Sequence, residues 1–115
     1  FFLMVEGAQI DWGGHDNDTD YLITELLDFD KTIGVALDFA AKNTETLVIV
    51  TADHETGGFT LATDDGNYNK IKPTFSTGGH SATMVPIFAK GPREENFGGI
   101  YKNTALFQKM MDIFK

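Results

Sequence analysis

An α/β fold is predicted by three features: two short apolar runs of strand character, at residues 1–5 (FFLMV) and 46–51 (TLVIVT), and a long helical stripe between them. Both runs are too short for helices, and the segment between them repeats its apolar positions at helical spacing. Taken in order, residues 1–5, bounded by Glu6-Gly7, read as a buried strand, and residues 6–17, rich in Gly and Asp, as a loop. Asp18 or Thr19 suits the N-cap of the following helix. There Leu22, Leu26, Phe29, Ile33, Ala36 and Ala40 recur at alternating spacings of four and three, a single apolar stripe. Asp28, Asp30, Lys31, Asp38 and Lys42 occupy the other faces, and Asn43 is a stop. Residues 46–51 are β-branched and apolar on both faces, as in a central parallel strand. Strand, helix and strand then make a right-handed βαβ unit.

Residues 57–62 and 70–75 flank Asp64-Asp65-Gly66-Asn67, which predicts a hairpin or excursion. Residues 85–89 form another apolar strand ended by Gly91-Pro92. Asn103 caps a last helix with Ala105, Met110 and Phe114 on one apolar face beside Leu106 and Ile113. Three core strands and two helices cannot cover both faces of a sheet. The expectation is therefore part of a three-layer α/β/α sandwich with a mostly parallel central sheet, its N-terminal half absent.

The chain has 115 residues, 42% hydrophobic and 23% charged, one domain's worth of a packed protein rather than a disordered tail. No apolar run approaches the ~20 residues that cross a bilayer. Nine basic against 17 acidic residues give a net charge of −8, which disfavours a nucleic-acid partner. The absence of cysteine excludes a disulfide scaffold, a thiolate zinc finger and a cysteine nucleophile. The opening Phe-Phe-Leu-Met-Val has no initiator Met, basic region or cleavage site, and reads as an interior strand of something longer.

All three histidines stand next to strand ends or glycines: His15 four residues after Asp11, His54 directly after Asp53, and His80 after Gly78-Gly79. Ligands of open α/β sheets bind beyond the carboxyl ends of the strands. One crevice would thus collect Glu6, Asp11, His15, Asp53 and His54. Imidazole and carboxylate without thiolate fit a catalytic zinc better than a structural one. Spacing alone supports a metal site and no more, because a loop histidine or a turn aspartate is more often a plain surface residue. Asp16-Asn17-Asp18-Thr19-Asp20 imitates the start of an EF-hand, but the required Gly and Glu positions hold Tyr21 and Leu27. It reads instead as an acidic helix entrance.

The strings Val5-Glu6-Gly7-Ala8-Gln9-Ile10-Asp11 with His15, Val50-Thr51-Ala52-Asp53-His54-Glu55-Thr56-Gly57-Gly58, and Gly79-His80 resemble the alkaline phosphatase family. Met84-Val85-Pro86-Ile87-Phe88-Ala89-Lys90-Gly91-Pro92 and Ile100-Tyr101 with Asn103-Thr104 also resemble bacterial members. The resemblance runs over essentially the whole chain and matches the C-terminal half of the family, so residues 1–115 are expected to be the C-terminal segment of such a domain. It implies that Asp11, His15 and His80 hold a first zinc, Asp53 and His54 a second, and Glu6 a magnesium. Trp12 falls beside the phosphate, or is simply a packing aromatic. The family's serine nucleophile, its further metal ligands and its phosphate-clamping arginine precede this segment. Ser76, Ser81 and Arg93 do not replace them, so no catalytic residue is expected here and the isolated chain should be inactive.

The parent implied is a zinc- and magnesium-dependent phosphomonoesterase acting on phosphate monoesters through a phosphoserine, periplasmic or secreted. Its partners are the substrate and the N-terminal half of its own chain, with a homodimer left open and neither nucleic acid nor a membrane span expected. Two metals about 4 Å apart suit that reaction by holding the attacking and leaving oxygens in line. Competing readings are a sister metalloenzyme of the phosphodiesterase or phosphoglycerate mutase type, and a metal-binding module without catalysis. The Val-Glu-Gly motif favours the phosphatase.

Overall fold

The computed structural model describes residues 1–114. In chain order the elements are α1 (Ala8–His15), α2 (Thr19–Lys42), β1 (Val48–Thr51), β2 (Glu55–Thr56), β3 (Thr60–Asp64), β4 (Asn67–Thr74), β5 (His80–Ser81), β6 (Ile87–Lys90), a 3₁₀ turn (Glu94–Phe97) and α3 (Ala105–Ile113). They divide into two compact units. The first comprises Phe1–Lys31 and His54–Met84, the second Thr32–Asp53 and Val85–Lys115. α2 contributes to both. None of its helices is long and apolar enough to cross a membrane, among the described residues.

The expected long helix forms as its stripe predicts. Asp18 is its cap: Oδ1 accepts the Tyr21 N–H at 3.0 Å and the backbone carbonyl accepts Leu22 N–H at 3.0 Å. The stripe is unevenly covered. Leu22 is 5% exposed and is the buried apolar residue of the first unit among the described residues, whereas Leu26 is exposed.

Residues 6–17 depart from the expected loop, because residues 8–15 are helical. Gly13 and Gly14 mislead a reading by propensity. A Cβ on Gly13 would lie 2.7 Å from the Leu22 nitrogen, and one on Gly14 would lie 3.0 Å from Thr56 Cβ. Here glycine permits close packing of a helix rather than flexibility, and that packing outweighs its cost of about 1 kcal/mol in a helix.

The strands share the α/β class but not the expected pairing. The three ladders described are two-stranded and antiparallel: β1 with β6, β2 with β5, and β3 with β4. Residues 1–5 form no strand and are exposed. The parallel βαβ unit is therefore not formed among the described residues. A continuous apolar run signals burial in a sheet but cannot supply the neighbouring edge to which its N–H and C=O groups must pair.

The hairpin is as expected. Asp65 (φ 47°) and Gly66 (φ 77°) take the two positive-φ places of a type I′ turn between β3 and β4.

In the second unit, Phe97 is 3% exposed and anchors the 3₁₀ turn. Tyr101 donates its hydroxyl to Phe97 O at 2.9 Å, and Lys109 Nζ lies 4.4 Å above the Tyr101 ring. α3 starts at Ala105 with Thr104 at the cap, and no side chain caps it. Asn103 contributes its backbone carbonyl to Leu106 N–H instead. Arg93, an exposed residue, donates Nη1 to Asp112 O at 2.9 Å and so caps the last turn of α3.

Candidate metal centre

The first unit gathers Asp11 and all three histidines. α1 places Asp11 and His15 one turn apart on one face, and β5 presents His80 to them. His15 Nε2 lies 3.5 Å from Asp11 Oδ2, His80 Nε2 lies 3.5 Å from Asp11 Oδ1, and the two Nε2 atoms are 3.1 Å apart. Zinc bonds of about 2.0–2.2 Å at tetrahedral angles put ligand atoms roughly 3.3 Å apart. The two histidine nitrogens stand at the spacing of tetrahedral zinc ligands, and each faces a different oxygen of the Asp11 carboxylate.

The proton inventory agrees. His15 Nδ1 donates to Gly78 O at 2.8 Å, which leaves Nε2 as a bare lone pair facing His80. Two ring nitrogens at 3.1 Å beside a carboxylate need a cation or a proton between them. The donor set and its geometry both fit zinc.

His54 extends the cluster. Its ring stacks on His80 with centroids 3.5 Å apart and planes 19° from parallel. Ligand atoms of Asp11, His54 and His80 all lie within 4.8 Å of one another. The remaining candidates are placed differently. Glu6 is exposed ahead of α1, outside this cluster. Asp53 is an exposed residue of the second unit, two positions past β1. Trp12 is 57% exposed on α1.

The loop that carries His80 is pinned at every step. Asn17, in the left-handed region at φ 51°, donates Nδ2 to Gly14 O and to Thr77 O, each at 2.8 Å. Ser76 N–H and Thr77 N–H both donate to Gly57 O, at 3.0 and 3.1 Å, and Gly57 N–H donates to Gly79 O at 3.0 Å. Gly57 itself has φ 87°, and a Cβ there would meet Gly14 O at 2.7 Å. On the far side of the β2–β5 pair, the Ser81 hydroxyl donates to Glu55, which also accepts Phe59 N–H at 3.0 Å.

Two supporting residues were missed in the sequence. Asn17 looked like part of an acidic run, and nothing in its surroundings betrays a bond across sixty residues. Thr56 was readable: strand alternation puts it on the side of His54, two positions earlier. Its hydroxyl touches both His54 and Asp11.

Comparison with known proteins gives one consistent answer. The sequence profile of the alkaline phosphatase family matches residues 1–77. Alkaline phosphatase 3 of Bacillus subtilis is 55% identical, with 92% of this chain and 38% of that protein aligned. Streptomycin-6-phosphate phosphatase of Streptomyces griseus is 38% identical over 93% of this chain and 28% of its own length. The structure of alkaline phosphatase from the Antarctic bacterium TAB5 superposes with a TM-score of 0.94 and 58% identity, covering 98% of this chain and 35% of that one. A variant of the TAB5 enzyme, solved with magnesium in its M3 site, superposes at 0.93. The chain thus spans between 28% and 38% of the length of these relatives.

Proposed function

The chain belongs to the alkaline phosphatase family, and from that premise we propose that it is the metal-binding C-terminal part of a phosphomonoesterase that uses two zinc ions and one magnesium. The observation that carries this reading is the approach of His15 Nε2 and His80 Nε2 to 3.1 Å of each other, each 3.5 Å from a different oxygen of the Asp11 carboxylate. In this reading those three residues hold the first zinc, Asp53 and His54 contribute to the second, Glu6 contributes to magnesium, and Trp12 lies beside the phosphate. Substrates are phosphate monoesters, and the protein works in the periplasm or outside the cell.

Zinc bound at such ligands supplies a Lewis acid that brings the pKa of a bound water to about 7 and steadies charge on reacting oxygens. The residues of this chain do the holding. His15 is kept in the tautomer that offers Nε2 by its bond to Gly78 O. Asp11 brings negative charge against the cation, and helix α1 fixes its spacing from His15. Ser81 is committed to Glu55, so it is not free to act as nucleophile. The phosphorylated serine and the phosphate-clamping arginine belong to the rest of the protein in this reading, and the 115-residue chain alone is inactive.

Zinc titration by calorimetry tests the assignment. Replacing His80 by Ala should weaken zinc binding to the chain by more than the ~10–100-fold typical of losing a supporting hydrogen bond. Equal affinity in the two proteins overturns the ligand set. In the full-length protein, Asp11→Ala should abolish most hydrolysis of a chromogenic phosphate monoester.

A further inference from the structure

We propose that the Thr56 hydroxyl is a positioning group of the metal centre, holding Asp11 and His54 together and fixing the histidine in the tautomer that presents Nε2. The inference rests on the reading of this cluster as a zinc site. It follows from counting protons. A threonine hydroxyl has one proton and two lone pairs. Thr56 Oγ1 donates to Asp11 Oδ1, since an ionised carboxylate only accepts. Its proton is then spent. The contact of 3.2 Å between Thr56 Oγ1 and His54 Nδ1 must be made by a proton on Nδ1. A neutral imidazole protonated at Nδ1 carries its lone pair on Nε2. The relay His54 Nδ1–H to Thr56 to Asp11 therefore puts the imidazole lone pair on Nε2, the atom that would ligate a metal.

The backbone places this hydroxyl as firmly as the hydroxyl places the ligands. Thr56 is the partner of His80 in the β2–β5 rung, so a third candidate ligand is registered against it. α1 lies directly on it: a Cβ at Gly14 would come within 3.0 Å of both Thr56 Cβ and Thr56 O. One residue thus touches Asp11 and His54 by side chain and His80 by main chain. A group that only filled space would need neither the hydroxyl nor its direction.

Thr56→Val keeps the shape and removes the hydroxyl, while Thr56→Ser keeps the hydroxyl. The 115-residue chain is titrated with Zn²⁺ alone by calorimetry. Valine should weaken zinc about 10–100-fold, the usual effect of losing a supporting hydrogen bond at a metal ligand, and serine should stay within a few-fold of wild type. Nitrogen-15 NMR of the histidine side chains, without metal, reads the tautomer directly. His54 should be protonated at Nδ1 in wild type and Thr56→Ser, and should become a mixture in Thr56→Val. Wild-type zinc affinity in the valine variant, or His54 protonated at Nε2 in the metal-free wild type, overturns the proposal. If the wild type binds no zinc, the metal reading fails, and the tautomer measurement still decides the role of Thr56. If the valine variant does not fold, wild type and the serine variant decide it the same way.

Discussion

Residues 76–81 and residues 1–5 belong to the same compact unit and reverse what their compositions suggest. The first stretch, Ser-Thr-Gly-Gly-His-Ser, has the makings of a mobile loop, yet Asn17, His15 and Gly57 bond it at successive positions. The second, Phe-Phe-Leu-Met-Val, has the makings of a core strand, yet it forms no ladder and its side chains stand exposed. The bonding of a segment in this molecule follows from whether its polar groups find partners, and apolar character alone does not supply a neighbouring strand. The cluster of Asp11 and the histidines is assembled by hydrogen bonds internal to the first unit. The fold therefore assembles this candidate metal centre independently of a large apolar core.

The strongest way to break this comparison is to disturb the loop's anchor and the apolar run in parallel. Gly57→Ala puts a side chain at φ 87° and 2.7 Å from Gly14 O. A left-handed conformation costs roughly 1–2 kcal/mol and overpacking roughly 1–3 kcal/mol more. Thermal or denaturant unfolding should show a loss of several kcal/mol, with zinc binding lost alongside. Leu3→Ala, at a residue 73% exposed, should change stability by no more than about 0.5 kcal/mol. A Leu3→Ala cost comparable to that of Gly57→Ala would show that the apolar run is packed after all.

Asn17→Ala is the next largest. It removes two 2.8 Å bonds and leaves Gly14 O and Thr77 O without that donor. The expected cost is about 1–3 kcal/mol, with weaker zinc binding as His80 loosens. Asn17→Gly separates the causes, because glycine adopts φ 51° without strain but cannot bridge the carbonyls. If the glycine variant behaves as wild type, backbone conformation and not the bridge is what Asn17 supplies.

Much of this was legible in the sequence, unevenly. The long helix announced itself through Leu22, Phe29 and Ile33, and its cap through Asp18, since both signals are local. The hairpin was readable from Asp65-Gly66 for the same reason. Helix α1 was not, because Gly13 and Gly14 answer to neighbours at Leu22 and Thr56 that only the folded chain brings near. The antiparallel pairing of β1 with β6 was equally hidden: the apolar pattern of residues 46–51 says the strand is covered and is silent on its partner. At the candidate metal centre, Asp11, His15 and His54 were singled out by type and place, and His80 as a ligand through the family resemblance; these four converge, while Glu6 lies outside the cluster and Asp53 belongs to the second unit. Asn17 does its work through contacts that leave no pattern of their own, whereas Thr56 could have been read from its place two residues after His54.

The smallest effect extends the comparison to the second unit, where a turn is again held by a polar bond. Gly91 N–H donates to Glu94 Oε2 at 2.7 Å, and Lys90 Nζ lies 3.5 Å from Glu94 Oε1. The Gly91 bond first, and the Lys90 charge after it, hold the Glu94 carboxyl below its ordinary value against partial desolvation. A carboxyl depressed in the folded state stabilises that state above its unfolded pKa, here the ordinary glutamate value of 4.5. That contribution shrinks as the pH falls and vanishes once the pH passes below the folded value. Glu94→Gln keeps an acceptor for Gly91 N–H and removes the charge. Its Tm should fall slightly below wild type at pH 7, and the difference should close as the pH falls from 7 through 4.5 and below, with half a mole of salt reducing it at pH 7 because the Lys90 pair is exposed. A difference that stays constant across that range would mean that the hydrogen bond alone holds the turn and the charge contributes nothing.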